Sequence, residues 1–159
     1  MKKTTIKITL ALTLLLPFAC KKKDTTPNPP STTSTAGGAT TGAAGSFTWT
    51  ENGGAVQTAD SAFWTTGTWG TGVRASKGGY TNYFEINWAT QNNTSIAAKT
   101  IAVGDFTFLQ GSSTYTNSAS QTLSVVGFSS NQLSGGFTVA VSGGTITTIT
   151  GGFNAINKK

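Results

Sequence analysis

The 159-residue sequence has no histidine, one cysteine and four prolines, and all four prolines precede residue 31. Without histidine the chain lacks the commonest general base, the usual catalytic triads and the common zinc ligand sets. A lone cysteine cannot form a disulfide within the chain. Between residues 47 and 157 the acidic residues are Glu51, Asp60, Glu85 and Asp105. These shortages predict that the protein is not an enzyme and that it uses no metal or other cofactor.

A pair of carboxylates is the remaining route to hydrolytic chemistry. Glycosidases place two carboxyl groups roughly 5 to 10 Å apart across one cleft. Glu85 lies between Phe84 and Ile86, so a strand there would direct its side chain to the solvent face. Asp105 follows Gly104 and is typical of a turn. The sequence therefore predicts no catalytic pair.

The formal net charge of +6 arises at the two ends of the chain. Eight of the eleven basic residues lie there: Lys2, Lys3, Lys7, Lys21, Lys22, Lys23, Lys158 and Lys159. Between residues 47 and 157, three basic residues stand against four acidic ones, a net charge of −1. A domain without a basic surface lacks the electrostatic footprint of a nucleic-acid-binding protein. We expect no nucleic-acid partner.

The N-terminal residues have the three parts of a signal peptide, and these end at Cys20. Residues 1–7 carry three lysines, residues 8–16 are apolar, and an alanine precedes the cysteine. The apolar run is shorter than the span of about 20 residues that a transmembrane helix needs. The pattern resembles a bacterial lipoprotein signal, although Pro17 stands where the common pattern has leucine. The resemblance implies that residues 1–19 are removed and that Cys20 is lipidated, which anchors the protein in a membrane; an ordinary secretory signal is the alternative.

Residues 20–46 are predicted to be a tether between the lipidated cysteine and one domain at residues 47–157. Residues 24–46 consist almost entirely of Thr, Ser, Pro, Gly, Ala and Asn, with no aromatic or large aliphatic side chain. Such a segment cannot bury enough apolar surface to offset the entropy cost of ordering it. As a random coil it would span about 25 Å, which lifts the domain off a membrane surface.

Beyond the tether, apolar residues recur with a period of two. Residues 84–88 and 133–141 alternate between apolar and small or polar side chains, the pattern of a strand with one buried face. The alternation changes parity at residues 125–126, which predicts a β-bulge or a fully buried strand. A short helical turn is predicted only at residues 94–99. The sequence predicts an all-β fold, an antiparallel β-sandwich or small barrel of about eight to ten strands.

Several short motifs resemble a group of small Bacteroidota lipoproteins. Residues 47–49 read FTW, residues 133–137 read LSGGF and residues 146–154 read ITTITGGFN. The charged run KKKD at residues 21–24 is similar to the run that follows the lipidated cysteine in many surface lipoproteins of that group. The resemblance covers most of residues 46–156 and implies a lipid-anchored outer-membrane protein on the cell surface or on the periplasmic face. It identifies no functional residues.

Four aromatic residues are the candidates for ligand binding. Trp64 and Trp69 bracket a Thr- and Gly-rich stretch typical of a loop, and Tyr80 and Tyr83 flank a turn. Exposed aromatic rings on a β-sandwich stack on sugar rings, and nearby polar side chains supply hydrogen bonds. The alternative for the tryptophans is that they fill the core.

Two short segments match the pattern used for O-glycosylation in the Bacteroidota. They are Asp24-Thr25-Thr26 and Asp60-Ser61-Ala62. Thr25 and Ser61 are therefore predicted sugar acceptors.

Two functions fit these observations. The first is a lipid-anchored outer-membrane or cell-surface lipoprotein with a noncatalytic binding module, with glycans as the favoured ligand class. The second is a structural or adhesive coat protein that acts through self-association or through assembly with an outer-membrane complex. A binding module should expose two or more aromatic side chains around one concave surface. A coat protein should present a flat exposed sheet or an uncovered edge strand.

Overall fold

The computed structural model describes residues 42–68, 70–89 and 96–159. These residues form eleven strands: β1 (Ser46–Glu51), β2 (Gln57–Thr58), β3 (Ser61–Gly67), β4 (Gly70–Lys77), β5 (Asn82–Trp88), β6 (Ala97–Ile101), β7 (Phe106–Gln110), β8 (Ser113–Thr116), β9 (Gln121–Phe128), β10 (Gln132–Ala140) and β11 (Thr148–Lys158). Within the same ranges no helix is long and apolar enough to cross a membrane. The prediction of an all-β fold is confirmed. The predicted signal peptide and most of the tether lie outside the described residues.

The strands form one mixed sheet that curls into a half-barrel, in the order β6-β9-β10-β11-β3-β4-β5-β7-β8. Strand β11 joins its parts: it pairs with β10 along one edge and with β1 along the other. Further along the second edge, Asn157 and Lys158 pair in parallel with Phe63 and Trp64 of β3. Every other strand pairing among the described residues is antiparallel. Strand β2 pairs with β1, off the main path of the sheet.

Aromatic side chains dominate the core inside the curl. Nine large rings are at most 1% exposed: Phe47, Trp49, Trp64, Phe84, Trp88, Phe106, Phe108, Phe137 and Phe153. Phe84 lies among them, stacked on Phe108 at 4.3 Å between ring centroids and 4.9 Å from both Phe47 and Trp49. Full burial of such a side chain contributes about 1.5 to 3 kcal/mol. One aromatic core therefore holds a domain that has no disulfide.

Two glycines lie directly beneath aromatic rings of the neighbouring strand. Gly151 of β11 pairs with Phe137 of β10, and Gly135 of β10 pairs with Phe153 of β11. A Cβ atom on Gly135 would lie 2.5 Å from Cζ of Phe153, and one on Gly151 would overlap the ring of Phe137. The rings occupy the space that side chains would need, so β10 and β11 interlock through glycine–aromatic pairs.

The bulge predicted at residues 125–126 is confirmed. The β9–β10 register shifts between Ser134 and Gly135, which leaves Val126 as the extra residue on β9. The β10–β11 register shifts at the same place. There Ala155 has a φ of 48°, and its backbone N–H donates to Ser134 Oγ at 2.8 Å. The parity change in the sequence thus marks a local bend of the sheet.

The predicted helical turn at residues 94–99 is wrong where the structure describes it. Residues 97–101 form β6, which pairs antiparallel with β9. Lys99 and Ile101 are buried while Thr100 between them is exposed, the period of a strand. Alanine is the strongest helix former, but helix propensity is a weak preference, and sheet pairing overrides it here. Residues 94 and 95 lie outside the described residues.

Replacement of Thr71 by valine is expected to stabilise the domain. Thr71 is 1% exposed, and its Oγ1 has no hydrogen-bond partner among the described residues. It faces Trp88 of β5 in register, on the inner side of the sheet. Thr71→Val keeps the branched shape and removes a buried hydroxyl that is not hydrogen-bonded, so the free energy of unfolding should rise by about 1 kcal/mol.

Urea denaturation followed by tryptophan fluorescence measures this change. Thr100→Val is the matched control, because Thr100 is an exposed strand threonine. A Thr71→Val variant that unfolds at a lower urea concentration than the parent would show that the hydroxyl does have a stabilising partner.

Candidate functional site

The outer face of β4 and β5 carries a hydrogen-bonded polar network. Arg74 faces Glu85 in register, and its Nη2 donates to Glu85 Oε1 at 2.7 Å, the one ion pair found among the described residues. Arg74 Nη1 donates to Asn87 Oδ1 and to the backbone oxygen of Val73, both at 3.1 Å. Asn87 Nδ2 in turn donates to Glu85 Oε1 at 3.1 Å. Both terminal nitrogens of the guanidinium are therefore engaged within the protein.

Glycines beside this network leave a groove of about 540 Å³ in the outer face. Gly67 and Gly70 face each other across the β3–β4 hairpin, and Gly72 is the next outward position on β4. A Cβ atom on Gly72 would lie 2.6 Å from both Arg74 Nη1 and Asn87 Oδ1. The absence of a side chain at Gly72 thus lets the arginine fold back along its own strand and contact the asparagine.

Polar side chains form part of the lining of the groove. They are supplied by Thr65, Thr66, Arg74, Glu85, Asn87 and Asp105. The backbone oxygen of Asp105 accepts a hydrogen bond from the Asn87 N–H at 2.8 Å, which holds the turn before β7 against β5. One cation and two carboxylates give this lining a formal net charge of −1. No group of three or more acidic, cysteine or histidine side chains that could hold a metal ion occurs in the described part of the chain.

Tyr80 and Tyr83 lie at the turn between β4 and β5. Tyr80 is 71% exposed, and its ring centroid lies 5.8 Å from that of the half-buried Tyr83, at an interplanar angle of 48°. Burial raises the pKa of Tyr83 above its usual value; the positive charge of Arg74 acts in the opposite direction, and Glu85 and Tyr80 add to the increase. Tyr83 therefore borders the network as a neutral phenol, which can donate and accept a hydrogen bond.

A second, smaller groove of about 340 Å³ lies over β9 and β10. Its polar lining consists of serine, threonine and glutamine side chains, and no described charged residue contributes to it. It offers neither a charged hydrogen-bonding group nor an exposed aromatic ring. The groove beside Arg74, Glu85 and Asn87 is therefore the stronger candidate, although neither tyrosine lines it.

The prediction that Trp64 is an exposed sugar-stacking residue is wrong. Trp64 is 1% exposed and faces Val73 in register on the inner side of β3. Its ring packs edge-on against Phe128 at 5.9 Å and lies under the Lys158 ammonium at 5.3 Å. Its Nε1 donates to the backbone oxygen of Asn131 at 3.4 Å. The Thr- and Gly-rich stretch after Trp64 looks like a loop in the sequence, but it continues the strand.

The other predicted site residues have different outcomes. Tyr80 and Tyr83 are brought together on one surface. Trp69, Thr25 and Cys20 lie outside the described residues, so their proposed roles stay predictions. Ser61, the predicted glycosylation acceptor, is exposed at the start of β3. Its modification also stays a prediction.

The network of Arg74, Glu85 and Asn87 was missed from the sequence. Glu85 was interpreted as a solvated strand residue; its side chain is 38% exposed, but it is ion-paired with Arg74. One signal could have revealed the pair: Arg74 lies four residues before Gly78 and Glu85 lies four residues after Thr81, so a hairpin with its turn at residues 78–81 places them opposite each other. Comparisons of the chain with protein-family models, with curated proteins and with solved structures found no match.

Proposed function

We propose that this protein is a lipid-anchored outer-membrane or cell-surface lipoprotein whose β-domain is a noncatalytic glycan-binding module. The observation that carries the proposal is the position of the Tyr80–Tyr83 pair beside the network of Arg74, Glu85 and Asn87. A sugar offers apolar C–H groups to aromatic rings and hydroxyls to polar side chains, so a ligand of this class would use both halves of the surface.

The contacts of Glu85 favour binding over catalysis. A glycosidase needs one carboxyl group that donates a proton to the glycosidic oxygen. Oε1 of Glu85 instead accepts hydrogen bonds from Arg74 Nη2 at 2.7 Å and from Asn87 Nδ2 at 3.1 Å. These bonds use the carboxylate as an acceptor and hold it in place. Such a group is suited to accept hydrogen bonds from sugar hydroxyls.

The alternative function, a coat protein built by edge-to-edge association, has less support. The strands at the two ends of the sheet order are short: β6 has five residues and β8 has four. Thr116 of β8 also exchanges backbone hydrogen bonds with Ser142, at 3.0 and 2.9 Å, which covers part of that edge. Short and covered edges are the devices by which proteins avoid pairing with further copies.

Removal of the tyrosine rings is expected to weaken glycan binding. The full chain is screened against a panel of neutral and acidic oligosaccharides, and the affinity for the best ligand is measured by calorimetry. Tyr80→Ala and Tyr83→Ala should each weaken binding about tenfold, the equivalent of about 1.4 kcal/mol for one lost stacking contact. Val56→Ala, at a side chain that is 66% exposed in the turn between β1 and β2, should leave the affinity unchanged.

Two results would count against this proposal. Binding that is equal in the parent and in both tyrosine variants would remove the surface from consideration, and a panel without any ligand would remove the glycan class.

Cell fractionation tests membrane anchoring through Cys20. The parent protein should fractionate with membranes, and the Cys20→Ser variant should be released into the soluble fraction.

A further inference from the structure

We infer that the groove beside Arg74 and Glu85 selects uncharged, hydroxyl-rich saccharides and rejects saccharides that carry carboxylates. This inference rests on the proposed function and names the chemical class of its ligand. It follows from the contacts of Arg74, from the two carboxylates in the groove and from the positions of the remaining cations.

The guanidinium of Arg74 is already occupied. Arginine recognises a ligand carboxylate by donating two parallel hydrogen bonds from its planar fork. Here Nη2 donates to Glu85 at 2.7 Å, and Nη1 donates to Asn87 and to the backbone oxygen of Val73 at 3.1 Å. The arginine side chain is 20% exposed. An acidic sugar would have to displace Glu85, which is held by both Arg74 and Asn87.

The carboxylates of Glu85 and Asp105 repel a second anion. Both line the groove together with Arg74, so the lining carries one more negative than positive charge. A ligand carboxylate placed there would meet like charge without a free cation, and like charges at such short range are unfavourable. Ligand hydroxyl groups are favourable in the same place, because they can donate charge-assisted hydrogen bonds to both carboxylates.

The other described cations are directed elsewhere, and none of them lines the groove. Lys77 donates to Gln57 Oε1 at 2.6 Å. Lys99 is buried in β6. Lys158 and Lys159 lie over aromatic rings at 5.3 and 4.2 Å from the ring centroids. Among the described residues, therefore, no further cation lines the groove to compensate an acidic ligand.

The floor and walls suit a neutral ring instead. Gly67 lets a ligand approach the backbone closely, because no atom lies within 4 Å of the position that its Cβ would take. Thr65 and Thr66 contribute to the same lining, and a threonine hydroxyl can donate as well as accept hydrogen bonds. A pyranose with free hydroxyls has groups complementary to this lining.

Matched pairs of neutral and oxidised saccharides test the inference. The full chain is titrated with glucan, mannan and galactan oligosaccharides and with the same oligosaccharides oxidised to carboxylates at C6. The neutral member that binds should bind at least tenfold more tightly than its oxidised form. The ratio of these two affinities should shrink as the salt concentration is raised from 20 to 500 mM, because salt screens the repulsion. The screening length is about 10 Å at 0.1 M.

A double variant tests the origin of the discrimination. Glu85→Gln with Asp105→Asn removes the negative charges and keeps the side-chain shapes, so the preference for the neutral form should fall to less than threefold. Circular dichroism confirms that the variant is folded, and the salt series on the parent provides a test independent of it. Oxidised oligosaccharides that bind as tightly as neutral ones would overturn this inference and leave the proposed function intact. A panel in which neither form binds would overturn the proposed function itself.

Discussion

Gly151→Val is expected to lower the free energy of unfolding by about 3 kcal/mol or more. A Cβ atom at Gly151 would overlap the ring of Phe137 on β10 and would lie 2.9 Å from the backbone oxygen of Thr48 on β1. The ring cannot move aside, because it packs against Phe47 at 5.8 Å and Phe106 at 5.7 Å. The strand cannot move aside either, because β1 and β10 bond to both of its edges.

Urea denaturation of Gly151→Val, with Gly67→Val as its control, distinguishes steric overlap with Phe137 from the general effect of replacing a glycine in a strand. Gly67 has no atom within 4 Å of the Cβ position, so its valine variant should unfold close to the parent. A loss of less than about 1 kcal/mol in Gly151→Val would show that the aromatic core repacks at low cost, in conflict with the close packing of protein interiors.

Asn117→Ala is expected to cost about 3 kcal/mol, because one buried side chain holds four backbone groups. Asn117 is 1% exposed. Its Oδ1 accepts hydrogen bonds from the N–H groups of Gly104 and Phe106, both at 3.1 Å. Its Nδ2 donates to the carbonyl oxygens of Ala102 and Ala119 at 2.8 and 2.9 Å. Alanine leaves these groups without the amide, and each buried group that remains unpaired costs about 1 to 3 kcal/mol before relaxation and water recover part of it.

Asn131→Ala is the matched control, because Asn131 is exposed in the β9–β10 turn and its backbone oxygen makes the contact with Trp64. Its free energy of unfolding should stay within about 0.5 kcal/mol of the parent. Thermal unfolding of the two variants side by side measures the difference. If Asn117→Ala matched Asn131→Ala, the turn at residues 102–106 would have to keep its hydrogen bonds through water.

The sequence predicts strands where one face of the strand is buried and the other is solvated. Residues 84–88 and 133–141 meet that condition, and their alternation appears unchanged in the burial of β5 and β10. The prediction fails at Trp64, where threonines on both faces conceal the alternation. It fails again at residues 97–99, where alanine suits a helix but β9 supplies a partner strand. Local composition carries no information about a partner that lies far away in the chain.

One half of the candidate site could be predicted from the sequence, and the other half could not. Tyr80 and Tyr83 flank one turn, so their proximity could be predicted from the sequence. The groove depends on strand register, which places Arg74 opposite Glu85, and on Gly72, whose lack of a side chain leaves room for the arginine. The turn that contains Asp105 reaches the groove through its hydrogen bond to Asn87 from a different part of the chain. Contacts of this kind follow from the assembled sheet and not from any single segment.

The pairings of strand β11 have a consequence for how the sheet assembles. It is the last of the eleven strands along the chain, yet it alone joins β10, β1 and β3. Without it the ladders of the described residues separate into three groups, β6–β9–β10, β3–β4–β5–β7–β8 and β1–β2. The bridge between Thr116 and Ser142 then joins β8 to the segment after β10, and no ladder joins β1–β2 to either of the other groups. Pairing of the whole sheet therefore depends on this one strand, through long-range contacts of the kind that slow folding.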